Sequence, residues 1–486
     1  MTFELSQFLP ASAEIFLLIM SCIVLLSDVF VEKRHPGICY GLTQLTLIGA
    51  ALITAWLWLN VARYTPVVTL SGMFVLDPLA SLTKLLVYVT SSFAFLYARR
   101  YNEERQIPSG DYCILGLFAI LGMIVTISAH SLLVLFMGLE LLSLPIYAMV
   151  AMWRSSQDSS EAAMKYFVMG ALASGMLLYG MSMLYGATKS LDISIIAHAV
   201  SNMASAQHSL ILVFGLVFIV AGLAFKFGAA PFHLWAPDVY EGAPTSTVLF
   251  LGSAPKIAIL VLAARLLIDA MPSLHVQWQQ LLMFLAIVSI GLGNIVAIAQ
   301  NNIKRMLAYS SIAHMGYMSL GLLSGTTIGY GAATFYMMAY MLMSMGAFGG
   351  LLLLSRKGFE SNQIEDLRGL NTRNPWLAFM MLLILFSMAG IPPSVGFFAK
   401  LGVLQALVGI HMTWLAVLAI AFSVIGSYYY IRIVKVMYFD EPVDNTPIVN
   451  SADARLAISL NGLIVLGLGI FPGALMDICR QAFILH

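Results

Sequence analysis

The sequence predicts an all-α polytopic membrane protein with about fourteen transmembrane helices, ten of them forming two inverted five-helix repeats that each contain one broken helix. Three observations carry this. Of the 486 residues, 60% are apolar and only 10% charged, against about 25% charged in soluble domains. The apolar residues fall in runs of about 20, the length that crosses a bilayer as a helix. Lys and Arg concentrate in every second connector, the pattern of loops held on one side of a membrane.

The runs are 10–31, 37–60, 72–98, 111–129, 131–152, 160–186, 208–241, 244–268, 277–299, 303–323, 327–354, 375–408, 412–437 and 453–476, the seventh and twelfth interrupted. No basic n-region or cleavage site accompanies the first run, which reads as a retained helix. Fifteen basic residues, among them Lys33, Arg34, Arg99, Arg105, Lys304 and Arg368, lie in odd-numbered loops. Four, Arg63, Lys189, Arg265 and Arg480, lie in even loops or the C-terminal tail. The bias puts odd loops in the cytoplasm and both termini outside. A missed or invented helix would mix the two sets, so the partition also checks the count.

Lys84, Lys165, Lys226, Lys256 and Lys400 fall inside runs, and no arginine is counted there. Arginine keeps its proton in a protein, whereas a desolvated lysine can lose its own. Buried lysines therefore suit groups that load and release protons, although a structural ion pair could use either residue.

The seventh run carries Lys226 deep within it and is then broken by Gly228 and Pro231. An interrupted helix frees backbone groups that hydrocarbon cannot satisfy, so it persists only where it is buried in protein or lines a polar cavity. A lysine beside such a break is a functional-site candidate. The twelfth run repeats the device: Gly390, Pro392, Pro393 and Gly396 interrupt it and Lys400 follows. Broken helices five spans apart run in opposite directions, which predicts inverted repeats. The expected division is 1–110 as an N-terminal three-helix segment, 111–270 and 271–440 as the two repeats, and 441–486 as a C-terminal helix.

Glu140 is the acid nearest the centre of a run and needs a cationic partner; Lys165 is the closest in sequence and Lys226 the closest in depth. Lys256 is mid-run after Pro255, which loosens the local hydrogen-bond ladder. Lys84 lies outside both repeats, with Asp77 seven residues earlier as a structural counter-charge. His233 sits in the first break, where it could extend a water path or cap freed carbonyls. His314 lies near Ser311 and Tyr317 and reads equally as a relay member or a packed helix–helix histidine. The Met-rich stretch Met337 to Met345 reads as close helix packing. Four cysteines without a Cys-x-x-Cys pair read as buried free thiols. No dinucleotide, phosphate-loop or haem motif stands in its structural context, so no cofactor is expected in this chain, and no nucleic acid.

Gly138-Leu-Glu-Leu-Leu-Ser-Leu-Pro145, Phe225-Lys-x5-Phe-His-Leu-Trp-Ala-Pro-Asp-Val-Tyr-Glu-Gly-Ala-Pro244, Asn302-Ile-Lys-Arg-Met-Leu-Ala-Tyr-Ser-Ser-Ile-Ala-His-Met-Gly-Tyr317 and Ala389-Gly-Ile-Pro-Pro-Ser-Val-Gly-Phe-Phe-Ala-Lys400 resemble the antiporter-like subunits of respiratory complex I, the proton-pumping NADH:quinone oxidoreductase. The resemblance covers essentially the whole chain. Within that family Lys400 sets it apart from members with glutamate there, and the short tail from members with a long lateral helix. The resemblance implies that Glu140 and Lys226 are the charge pair of a first half-channel, Lys256 a connecting lysine, Lys400 the group nearest a second half-channel, and Lys165 a supporting charge. It implies flavin and iron–sulfur clusters in partner subunits, antiporter-like and small membrane subunits as neighbours, and a bacterial inner membrane with both termini periplasmic. Lys84 has no place in that axis.

The expected function is proton translocation driven by electron transfer from NADH to quinone elsewhere in the complex. Moving one charge against about 150 mV takes about 3.5 kcal/mol. The rivals are a subunit of a multi-subunit cation/proton antiporter without a redox partner, a scaffold whose buried charges serve assembly, and a lipid-acting enzyme, for which no nucleophile or metal cluster is found.

Overall fold

The computed structural model describes residues 5–31, 37–63, 65–203, 209–442 and 452–484; Lys33, Arg34 and His486, used in the topology argument, lie outside them. The chain runs α1 (Ser12–Phe30), α2 (Ile38–Asn60), a hairpin of β1 (Val67–Thr69) and β2 (Phe74–Leu76), α3 (Pro78–Glu104), α4 (Ser109–Ser128), α5 (Leu132–Val150), α6 (Gln157–Thr188) and α7 (Ile193–Met203). Then follow α8 (Ser209–Phe227), α9 (Trp235–Gly242), α10 (Thr245–Leu251), α11 (Ala254–Ala263), α12 (His275–Ile298), α13 (Ile303–Leu323) and α14 (Thr327–Leu354). The last third holds α15 (Leu370–Arg373), α16 (Pro375–Ala389), α17 (Val395–Gly409), α18 (Thr413–Phe439), α19 (Ala452–Ile470) and α20 (Gly473–Ile484).

Among the described residues, twelve helical segments are long and apolar enough to cross a membrane. Adding α13 and the interrupted pair α16 and α17 brings the crossing elements to fourteen, as expected. Apart from Arg305 and Tyr309, every residue of α13 is buried, so its polar residues meet protein and not lipid. The segment Thr245–Asp269 and α14 are likewise enclosed, whereas α1, α2, α6 and α18 expose Leu26, Leu52, Leu172 and Val424 outward, the lipid-facing residues of a polytopic bundle. Cys22 is also exposed, so the expectation that all four thiols are buried fails for it.

The first two helices of each repeat pack through small residues. A Cβ on Gly122 of α4 would strike the backbone of Leu142, and one on Gly138 of α5 would strike Thr126. In the second repeat, Gly293 of α12 meets Ala313 and Gly316 of α13 meets Ala286 and Ile290. Backbones this close are held by dispersion, which replaces the hydrophobic effect between helices in lipid.

The third run was expected at 72–98, but its first residues form the hairpin and the helix starts at Pro78, where Asp77 caps it by accepting from the Ala80 N–H at 2.6 Å. The eighth run is three pieces. It stops at Gly252 and Ser253, resumes as α11 and ends in a π-helical turn, Ala264–Asp269. The fourteenth stops at Ile470, and α20 folds back so that Gly331 of α14 lies against the Arg480 backbone.

Candidate functional site

The α8 helix ends at Phe227, and Gly228 adopts a φ of +73°, a left-handed conformation that glycine takes without a Cβ clash. The freed backbone groups have specific partners. Trp235 Nε1 donates to the Phe225 carbonyl at 3.0 Å, the Ala230 N–H donates to Ser289 Oγ at 2.9 Å, and Lys256 Nζ donates to the Phe227 carbonyl at 3.5 Å. The second break is built alike. Gly390 has a φ of +86°, and Lys400 Nζ donates to the carbonyls of Met388 at 3.3 Å and Ala389 at 2.8 Å and to Ser423 Oγ at 2.9 Å. One lysine thus rests on the exposed carbonyl end of each interrupted helix.

Lys226, in the last turn of α8, donates to Ser143 Oγ at 2.9 Å. Ser143 is one turn beyond Glu140 on α5, and Glu140 is close enough for its charge to act on Lys226. No ion pair within 4.0 Å joins them among the described residues; Glu140 Oε1 is buried without a hydrogen-bond partner. The expected contact pair is therefore not formed: Ser143, which accepts from Lys226, itself donates to the Leu139 carbonyl at 2.8 Å. No described carboxylate pairs directly with Lys226, Lys256 or Lys400 either, so their neighbours are hydroxyls and carbonyl dipoles.

A cavity of about 20 Å³ lies between Lys226 and Lys256, bounded also by Ser143, Tyr166, Trp235 and Pro255, which is room for about one water molecule. Lys256 donates to Ser311 Oγ on α13, and its Nζ lies 5.2 Å from the Tyr340 ring centre. The Tyr340 and His314 rings are 5.2 Å apart. His314 Nδ1 meets Tyr336 Oη at 2.7 Å and its Nε2 meets Tyr430 Oη at 3.1 Å. Tyr336 stacks on Tyr317, whose ring centre lies 5.2 Å from Lys400 Nζ. Side chains thus line the way from Lys256 to Lys400, by hydrogen bonds at Ser311 and among Tyr336, His314 and Tyr430 and by ring contacts between them.

His314 is accordingly a hub with both ring nitrogens engaged. His233 Nδ1 is buried with no partner among the described residues; Trp235, Ser289 and Lys256 hold the freed backbone groups beside it. Lys165 is 43% exposed and lies at 2.8 Å from both Glu161 and Asp238, so it is not the partner of Glu140. It lines an open cleft of about 260 Å³ with Asp158, Glu241 and Arg305. A 32-residue helix such as α6 is about 48 Å long, more than the roughly 30 Å of the hydrocarbon core, and the half-exposed ion pairs of Lys165 mark its first turns as the end outside it. Tyr166 and Trp235, stacked with ring centres 4.6 Å apart, line the cavity at Lys226; in the chain Tyr166 follows Lys165 of the cleft and Trp235 precedes Asp238 of the cleft.

Three expectations about charge are corrected. Asp77 pairs with Arg265 at 2.7 Å, while Lys84 pairs with Glu14 of α1. Arg265 is 1% exposed and is held also by Asp269 at 3.3 Å, so a buried arginine exists and serves a fixed ion pair. Lys304, counted in a loop, is buried in the first turn of α13 and donates to the Ala243 carbonyl at 3.1 Å. The site residues that sequence reasoning missed are Ser143, Tyr336, Tyr340, Ser423 and Tyr430. A signal existed for two: Tyr336, Tyr340 and Ser344 recur every four residues and form a polar stripe on one face of the Met-rich helix.

Residues 129–426, which contain Glu140, Lys226, Lys256 and Lys400, match the family model described as NADH:quinone oxidoreductase/Mrp antiporter, transmembrane. Over 99% of both chains the sequence is 58% identical to NADH-quinone oxidoreductase subunit N of Coxiella burnetii and 52% identical to the protein of that name from Thioalkalivibrio sulfidiphilus. A chain in the structure of respiratory complex I from Thermus thermophilus with bound aureothin superposes with a TM-score of 0.80 at 31% identity, covering 96% of this chain and 98% of that one. A chain of the Mrp complex from Dietzia shares the fold, with a TM-score of 0.84 at 20% identity over 99% and 97% of the two chains.

Proposed function

The chain belongs to the NADH:quinone oxidoreductase/Mrp antiporter transmembrane family, and we propose that it passes protons along Glu140, Lys226, Lys256 and Lys400. It is a membrane subunit of the proton-translocating NADH:quinone oxidoreductase, set among other membrane and antiporter-like subunits. The antiporter alternative is less supported, because relatives at 50–58% identity over nearly the whole chain carry the oxidoreductase name, whereas the Mrp likeness is one of fold.

The observation that carries the path is chemical. Three enclosed amines have hydroxyls, carbonyls and one water-sized cavity as neighbours, with no carboxylate in ion-pair contact. A permanent charge there would lack a counter-charge in direct contact and be costly to bury. An amine that gains and gives up a proton meets no such objection. Lysine can do this and arginine cannot.

In this reading Glu140 sets the state of Lys226 through its distance: at an effective dielectric of about 20, an opposite charge at about 4 Å is worth about 4 kcal/mol. That is on the scale of the membrane potential's opposition to one proton. The proton passes to Lys256 by the intervening cavity, then by Ser311 and the hydrogen-bonded group of Tyr336, His314 and Tyr430, with water carrying it across the ring contacts at Tyr340 and Tyr317 to Lys400. Lys165 and the acids of its cleft feed the first lysine when the Tyr166–Trp235 stack opens, and His233 supports water in the first break. Flavin and iron–sulfur chemistry is assigned to partner subunits. The topology belongs to the same proposal, with Arg99–Arg105 and Arg356–Arg373 cytoplasmic and both termini periplasmic in the bacterial inner membrane, as does the division at 110, 270 and 440.

The test is Lys226→Ala in the assembled complex, with quinone reduction and proton uptake measured separately. Both should fall together. Retained quinone reduction with full pumping would refute the path.

A further inference from the structure

The half-helix α9 meets α6 along three antiparallel rungs. At one end a Cβ on Gly242 would come within 2.7 Å of the Asp158 carbonyl oxygen, so there the backbones touch. In the middle Asp238 Oδ2 accepts from Lys165 Nζ at 2.8 Å. At the other end Trp235 stacks on Tyr166. The first two rungs border the open cleft, and the third borders the enclosed cavity beside Lys226 and Lys256. Lys165 and Tyr166 are consecutive, and Trp235 and Asp238 lie about one turn apart on α9, so the ion pair holds the two rings in register.

The polar links of α9 are uneven. Towards α13, Asp238 Oδ1 and Glu241 Oε2 accept from Arg305 Nη1 at 3.0 and 2.8 Å, and Asn302 Nδ2 donates to Glu241 Oε1 at 3.1 Å. Towards α6 the link is the pair of Asp238 with Lys165, whose side chains are 32% and 43% exposed. Water and salt reach such a pair, and it is worth little. Parting it also strands neither charge, because Lys165 keeps Glu161 on its own helix at 2.8 Å and Asp238 keeps Arg305. The α6–α9 seam is therefore built to part and close again, with α9 carried on α13, the Gly242 contact as its fixed end and the rings as its free end.

We propose that Asp238 is a positioning residue for proton entry: its pair with Lys165 keeps the Tyr166–Trp235 stack closed, and release of that pair opens the seam and joins the cleft to the cavity. Proton entry here rests on the lysine path proposed above, whereas the opening of the seam does not. Ile146 lines the same cavity and is 1% exposed, so a cysteine there reports entry of a reagent that a space of about 20 Å³ shuts out. In the intact complex in nanodiscs, Ile146→Cys is treated with methyl methanethiosulfonate, which is small and uncharged, and labelling is read by mass spectrometry of that peptide. Lys165→Gln should speed labelling about threefold, within the worth of one exposed ion pair. Lys165→Arg keeps the pair and should leave the rate as it was. Raising salt should speed labelling while Lys165 is present and have no such effect in Lys165→Gln, because screening weakens an ion pair only where one exists. The salt series needs no change at the seam itself, so it stands even if Lys165→Gln fails to assemble. Unchanged labelling in Lys165→Gln, an equal rise in Lys165→Arg, or a rate indifferent to salt with Lys165 present would overturn the proposal. Normal pumping in Lys226→Ala would refute the path without altering the labelling result, so the two readings fail separately.

Discussion

Lys400 Nζ lies 2.8 Å from the carbonyl oxygen of Ala389, the last residue of the helix that the second break interrupts. The amine is solvated by a helix end and by Ser423, with no described carboxylate in contact. Lys256 stands in the same relation to Phe227 at the first break. This shared arrangement makes Lys400 the most discriminating position to change.

Lys400→Arg keeps the positive charge and nearly the same reach but cannot release a proton. We expect the complex to assemble while coupled quinone reduction and proton pumping both fall, as in Lys400→Ala. Normal pumping in the assembled Lys400→Arg complex would reduce Lys400 to an electrostatic spacer.

The two breaks separate backbone strain from crowding. A Cβ at Gly228 would meet nothing closer than 3.6 Å, whereas one at Gly390 would come within 2.9 Å of Lys400 Cδ. Gly228→Ala should therefore cost only the left-handed penalty, about 1–2 kcal/mol. Gly390→Ala should add a displaced Lys400 and lose more pumping per assembled complex. Comparing pumping after normalising for assembled complex in membranes checks the order.

Lys84 and Glu14 form a buried pair between α3 and α1, outside the axis. Removing one partner leaves the other charge buried, at a cost of about 3–5 kcal/mol. Lys84→Ala should lower the amount of assembled complex and Lys84→Arg should largely restore it, with pumping per complex unchanged in both. Native gels and proton uptake separate these quantities, and a pumping defect in fully assembled Lys84→Arg would give Lys84 a part in conduction.

His314 engages Tyr336 and Tyr430 with its two ring nitrogens. If the three act as one relay, His314→Gln and Tyr336→Phe should each slow coupled turnover, and the double variant should be little slower than the worse single one. Multiplied defects would mean that the two residues act independently.

Cysteine labelling tests the topology proposed from loop charge. Cysteines placed at Arg99 and at Lys357 should react from the cytoplasmic side, and one at Lys189 only from the periplasmic side. Labelling of Arg99 and Lys189 positions from the same face would break the inverted-repeat arrangement.

The sequence alone determined the membrane class, the fourteen crossing elements, the two broken helices and the lysines beside them, because each is local. Run length is set by bilayer thickness, and glycine or proline within a run ends a helix wherever it falls. It missed the break at Gly252 and Ser253, where Pro255 gave only a partial warning, and it read 72–76 as helix because a short apolar hairpin and a helix end look alike without periodicity.

Charge pairing, by contrast, was decided only in three dimensions. Asp77 and Lys84 are two turns apart on one helix, yet each found a partner on another: Arg265, 188 residues along the chain, and Glu14 on the first helix. Lys165 looked buried by its place in a run and is carried into an open cleft by the length of α6. An ion pair depends on side chains meeting within about 4 Å, and spacing along a helix fixes that distance only for residues of the same helix. Which helices stand side by side is set by their packing, here by glycines such as Gly122 and Gly293 that let backbones touch. Ser143, Tyr336 and Tyr430 became part of the lysine axis through that packing alone.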